Sequence, residues 1–182
     1  MIYLPEYSYY FRKKNFPFEK AVIVTAKSIS KGCKGYKAQL ISPKKGIKEC
    51  IKEGTLPKSQ KEKEKFIENI FKWIFDNSFC SDLFAFFLYE DYPNLKNYPA
   101  KFDHHDDTCC WCLNLDEKEF KELKKVLKKN KLPDDLFYSE DKLICVPAEP
   151  GIIGRFLNKI GFTIESKRCY TPKEWENRNK SG

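Results

Sequence analysis

Both histidines of this 182-residue chain fall within ten residues, Asp103 to Cys112, together with three acids and three of its eight cysteines. Thiolate and imidazole are the preferred ligands of tetrahedral zinc, so His104, His105, Cys110 and Cys112 form a candidate metal set. On a strand, alternate residues share a face, which puts Cys110 with Cys112 and Cys109 with Trp111. Two of these thiols at most then reach one ion, and a fourth ligand has to come from elsewhere, such as Cys80 or Cys145. A second chemistry needs a thiolate generated beside His104 or His105, as in a thiol- or metal-dependent hydrolase using His104, His105, Asp106 and Cys110. The one C-x2-C spacing is Cys109 to Cys112, with no second pair to complete a structural zinc site, and no nucleophile motif surrounds the cysteines. The plainer reading is a solvated acidic loop entering a strand whose cysteines pack in the core.

A second group is basic. Lys27, Lys31, Lys34 and Lys37 gather around the glycine-containing turn Ser30 to Gly35, with Tyr36 among them. Arg12, Lys13 and Lys14 lie upstream beside Tyr9, Tyr10 and Phe11. Lysines neutralise phosphates and aromatic rings stack on unpaired bases, so the mixture suits nucleic acid or a nucleoprotein complex. An ordinary solvated hairpin decorated with lysine would look the same.

The third group is Gly151 to Ile164. Its piece Phe156-Leu157-Asn158-Lys159-Ile160-Gly161-Phe162 resembles the L-x-x-x-G-F ending found in two families. Similarity to the acyl-CoA N-acetyltransferases (the GNAT family) would imply an N-acyltransferase using the 151–162 turn. Similarity to winged-helix modules would imply a basic wing, which Lys167 and Arg168 fit. Without either family, the same residues read as a small helix with Gly161 as its C-cap. No P-loop, G-x-G-x-x-G, H-E-x-x-H or G-x-S-x-G occurs.

The elements that must position these groups follow from composition and period. Hydrophobic residues make up 41% of the chain and aromatics 15%, which is enough for a folded core. No stretch approaches the roughly 20 apolar residues of a membrane span, and Met1 to Tyr7 does not read as a secretory signal. The expectation is therefore a cytoplasmic protein, without a membrane partner, whose cysteines are mostly reduced. Net charge is +8, and residues 1–65 hold 16 Lys/Arg against 6 acids while the remaining 117 hold 18 against 20. That asymmetry points to an acidic partner for the N-terminal third. Only four of the 34 basic residues are Arg, the usual base-reading residue, and a Lys-heavy composition also follows from an AT-rich genome.

Residues 1–19 read as irregular. Ala21 to Ala26 and Tyr36 to Ile41 read as the two strands of a hairpin. Ile47 and Ile51 suggest a short helix over 44–53. Ser59 and Glu62 form an S-x-x-E capping box for a helix over 59–77, whose apolar face is Phe66, Ile67, Ile70, Phe71, Ile74 and Phe75. Leu83 to Tyr89 reads as a central strand, 90–107 as a polar loop and 108–115 as a strand. Asp116 caps a second long helix with Phe120, Leu123, Val126 and Leu127 inward. A strand over 142–146, a short helix over 151–159, a strand from 162 and a final helical turn from Thr171 complete the order. The expected fold is one α+β domain, 1–182, with a mixed or largely antiparallel sheet of about six strands and three to four packed helices. The functions it suggests are a nucleic-acid-binding protein, a small enzyme, or an inhibitor protein from a virus or mobile element with a protein target.

Overall fold

Phe18, Ala21, Val22, Thr25, Ala26 and Ile29 recur at three- and four-residue spacing, and all except the half-buried Phe18 are buried in the computed structural model of the chain. They form the inner stripe of helix α1, Phe18–Ile29, entered directly after Pro17. The reading of Ala21 to Ala26 as a strand is thus corrected. Six residues are too short a window to separate the two periods, and burial of the whole stripe outweighs the β preference of Val22, Ile23 and Val24. Residues 2–5, 17–41, 49–78, 83–92, 100–105, 110–134, 136–139, 144–148, 159, 166–170 and 175–176 are described by the structure.

After α1 come a 3₁₀ turn, Ser30–Gly32, and strand β2, Gly35–Ile41. Strand β3, Cys50–Thr55, pairs with β2. The helix expected over 44–53 is therefore a strand from Cys50 onward, while 42–48 lie outside the described residues. An edge strand with one neighbour leaves its side chains in solvent and carries little apolar alternation to read. Ile51 is 48% exposed, and the ammonium of Lys52 sits 4.2 Å above the Trp73 ring.

Helix α2, Gln60–Ser78, begins at the expected box, with Ser59 and Glu62 hydrogen-bonded side chain to side chain and Ser59 Oγ also accepting from the Glu62 backbone N–H. Strand β4, Leu83–Tyr89, is followed by β5, Phe102–His105, and β6, Cys110–Leu113. Helix α3, Glu117–Lys129, carries a full capping box between Asp116 and Glu119. It ends with Lys131 in the left-handed region at φ 59°, where the Lys131 and Leu132 N–H groups bond back to Lys128 and Leu127.

Strand β1, Ile2–Pro5, falls in the stretch expected to be irregular, yet it is hydrogen-bonded between β6 and the two-residue β7, Tyr138–Ser139. The sheet runs β3-β2-β4-β5-β6-β1-β7, and every pair is antiparallel. A separate antiparallel pair joins β8, Ile144–Ala148, to β9, Ser166–Tyr170. The fold is α+β, with α1 packed against both α2 and α3, and α2 against β2 and β4. Phe71 of α2 meets Phe86 of β4 at 4.6 Å between ring centroids, and Phe102 meets Trp111 edge-on at 5.3 Å. All four side chains are buried. No helix among the described residues is long and apolar enough to cross a membrane.

Candidate functional site

The His/Cys segment is not a loop leading into a strand. Phe102 to His105 is itself a strand, bonded to β4 on one side and β6 on the other. Sequence reading missed it because a ladder is made by backbone groups, and the polar side chains of Asp103 to Asp107 masked it. Register places His104 opposite Trp111 and Asp103 opposite Cys112. The His104 ring is 1% exposed, stacked on Phe84 at 4.4 Å and tilted against Trp111 at 3.9 Å. It belongs to the aromatic core. Cys112 follows Trp111 along the strand and so occupies the other face of the sheet, which means His104 and Cys112 do not converge. His105 and Cys110 are register partners in the same ladder, while 106–109 and Cys80 lie outside the described residues. Cys145, the other candidate ligand, sits opposite Cys169 in the β8–β9 pair. Among the described residues no group of three or more His, Cys, Asp or Glu is arranged to hold a metal ion.

Nucleophilic chemistry finds little help at Cys33. This free thiol is fully buried, and burial pushes its pKa up to about 12 against the opposing pull of the Lys63 ammonium. A thiol held protonated at neutral pH is a packing group, not an attacking one.

The basic residues do not share one hairpin, because β2 pairs with β3 and β4, not with residues 21–26. Lys27 lies in the last turn of α1 and is bonded to Glu68 of α2. Lys31 belongs to the 3₁₀ turn and is exposed. Lys34 follows it, 69% exposed, with its ammonium 3.8 Å from Asp91. Lys37 stands on β2, 3.9 Å from Glu53. Tyr36 points the other way: it is buried, edge-on to Phe66 at 4.7 Å, and is not offered to a base. Arg12, Lys13 and Lys14, with Tyr9, Tyr10 and Phe11, lie outside the described residues. So does the 151–164 stretch except Lys159, whereas Lys167 and Arg168 form part of β9.

Sequence reading missed what anchors the turn. Lys63, in the second turn of α2, is buried, and its ammonium donates to the carbonyls of Cys33 at 2.7 Å, Ser30 at 3.1 Å and Lys31 at 3.5 Å. One charged group from α2 thereby gathers the carbonyls at the C-terminal end of α1 and fixes the turn carrying Lys31 and Lys34. The only available signal was a lysine three residues before Phe66 on the helix's inner face.

The charge count along the chain also missed a concentration of lysine on α3. Seven Lys and three Glu fall between Glu117 and Lys131, and no acid occurs from Leu123 to Lys131. An open cleft of about 370 Å³ separates the start of α3 from the 3₁₀ turn, with Ile29, Leu123 and Val126 below and Lys31, Lys118 and Glu122 at its sides. Comparison with protein-family models, curated proteins and solved structures finds no match to this chain.

Proposed function

We propose that the protein is a non-enzymatic binding protein that engages nucleic acid, free or in a nucleoprotein complex, through lysines presented from the α1–β2 junction. The observation that carries this reading is the 3₁₀ turn itself. Among the described residues Lys31 makes no close ion pair, the Glu122 carboxylate only feeling its charge, Lys34 is largely in solvent at 3.8 Å from Asp91, and the turn beneath them is held by the buried Lys63 ammonium. Cations on a fixed base lose less entropy on binding than cations on a loose loop. Lys37 adds a further cation on β2, 3.9 Å from Glu53. Lysine gives charge without the bidentate base recognition of arginine, so the reading favours affinity for phosphate over sequence discrimination.

The test is fluorescence anisotropy with labelled single-stranded RNA and duplex DNA at about 50 and 200 mM salt. Binding that weakens steeply with salt, and that is lost when Lys31, Lys34 and Lys37 are all changed to Glu, is the expected result. No binding at low salt, or binding indifferent to that triple change, would overturn it.

A further inference from the structure

We infer that the exposed face of α3 is a docking surface for the phosphate backbone of double-stranded nucleic acid, held by charge and indifferent to sequence. The inference rests on the nucleic-acid reading above and adds the surface and the form of the partner. Lys118, Lys121, Lys125 and Lys128 are all exposed and spaced three, four and three residues apart, which lines them along one side of the helix. At 1.5 Å per residue the row is about 15 Å long. Lys129 in the last turn and Lys131 just past it continue the exposed positive charge.

The acids of α3 cancel only part of this row: Glu122 pairs with Lys125, and Glu117 stays exposed in the first turn. The Glu119 carboxylate is taken by Lys101 at 3.1 Å and by the backbone of Asp116. Glu122 bonds Lys125, whose hydrogen bond and charge hold its carboxyl below the usual range, with Lys31 and Lys118 adding to the effect. Lys31 therefore shares the field of α3. At the other end, the Lys20 ammonium of α1 donates to the carbonyl of Asn130 and adds another cation beside the C-terminus of α3.

Helix stability alone does not require such a row. Lysines in the last turn complement the helix dipole, but Lys118 in the first turn sits at the end where positive charge is disfavoured. The described surface of α3 suits a charged partner better than an apolar one. Ile51 is the one large apolar side chain that is exposed among the described residues, and it stands on β3, so the lysine row of α3 itself carries no exposed apolar anchor. The one aromatic on α3, Phe120, is half-buried with the Lys124 ammonium 4.6 Å above its ring, leaving no platform for a splayed base. A straight row of point charges without stacking groups matches the regular phosphates of a duplex.

Four neutralised phosphates give a salt slope near −3.6, which is about a hundredfold loss of affinity between 50 and 200 mM salt. The experiment uses the full chain, fluorescein-labelled 20-base-pair DNA and RNA duplexes, a scrambled duplex, and a single strand of equal length. Lys118, Lys121 and Lys128 are changed together to Glu and, separately, together to Gln, with melting curves to establish that both variants fold. The expected result is a loss of at least tenfold for Glu and a slope flattened by roughly 2.7 for Gln, with equal affinity for both duplex sequences. Wild-type affinity in the α3 variants, alongside loss in the Lys31/Lys34/Lys37 variant, overturns this inference and leaves the nucleic-acid reading standing. Tighter binding to the single strand than to either duplex overturns the duplex assignment. No binding by any form at 50 mM salt overturns both readings.

Discussion

Changing Lys63 to methionine keeps most of the side chain's apolar length and removes only its ammonium group. Three carbonyls then lose a charged donor, but not equally. The Ser30 carbonyl still accepts from the Cys33 N–H at 3.0 Å, and the 3.5 Å contact to Lys31 is too long to count for much. The Cys33 carbonyl loses its 2.7 Å bond. A hydrogen bond to a charged group contributes about 1.5–3 kcal/mol, and a buried carbonyl left unpaired costs about 1–3 kcal/mol. Some of this is returned, because the unfolded wild type gains the hydration that the buried ammonium gave up. A net loss of about 3 kcal/mol follows, and at roughly 2–4 °C per kcal/mol for a chain of this size the melting temperature falls by about 6–12 °C. Circular dichroism melts and urea titrations of the wild type and Lys63→Met measure it directly. Because the substitution also loosens the base under Lys31 and Lys34, nucleic-acid affinity should drop several-fold at a temperature where both proteins are folded. A melting temperature within 2 °C of wild type, with unchanged urea sensitivity, would refute the reasoning that one buried cation organises the α1–β2 junction.

Three further expectations concern single residues. Cys33 has its thiol raised by burial from 9.0 to about 12, so between those pH values the unfolded chain gives up a proton that the folded chain keeps. Its stabilising effect is then complete below about pH 9 and lost as pH rises toward about 12; urea titrations at pH 8 and pH 10 should show this fall in the wild type and less of it in Cys33→Ala, and an identical fall in both would exclude Cys33 as its source. Under native conditions iodoacetamide should label the half-buried Cys50 well before Cys33, as mass spectrometry of the peptides can show. Lys131 holds a left-handed conformation that glycine adopts without cost, and its backbone bond to Lys128 does not need the side chain; Lys131→Gly should therefore stabilise the protein by about 1 kcal/mol, and a lower melting temperature would count against that account of the α3 terminus.

Features that depend on near neighbours in the chain are legible in the amino-acid sequence alone. The two long helices announce themselves through Ser59 and Asp116, whose capping partners lie three residues on, and through apolar stripes long enough to show a helical period. The Leu83 to Tyr89 run is legible as a strand because its length and continuous apolarity leave few alternatives. Helix α1 is misread because its decisive residues, Phe18 and Ile29, lie outside the six-residue β-branched run between them. Strands β3 and β5 are missed for the opposite reason. They are polar, and what makes them strands is the backbone of β2, β4 and β6, contributed by other parts of the chain.

The candidate sites divide along the same line. Sequence by itself marked the lysines at 31, 34 and 37 as cationic and the 103–112 segment as unusual. It had no means of showing that Tyr36 turns into the core, that His104 is sandwiched between Phe84 and Trp111, or that Lys63 reaches the carbonyls of a turn thirty residues away. Counting charge along the chain averaged the lysines of α3 against distant acids, while the structure places them side by side with Lys20 and Lys31 at the two ends of the row. Local chemistry sets which groups are charged, capped or apolar. Strand register and helix packing decide which of them meet, because those contacts form between residues whose separation along the chain carries no information about their separation in space.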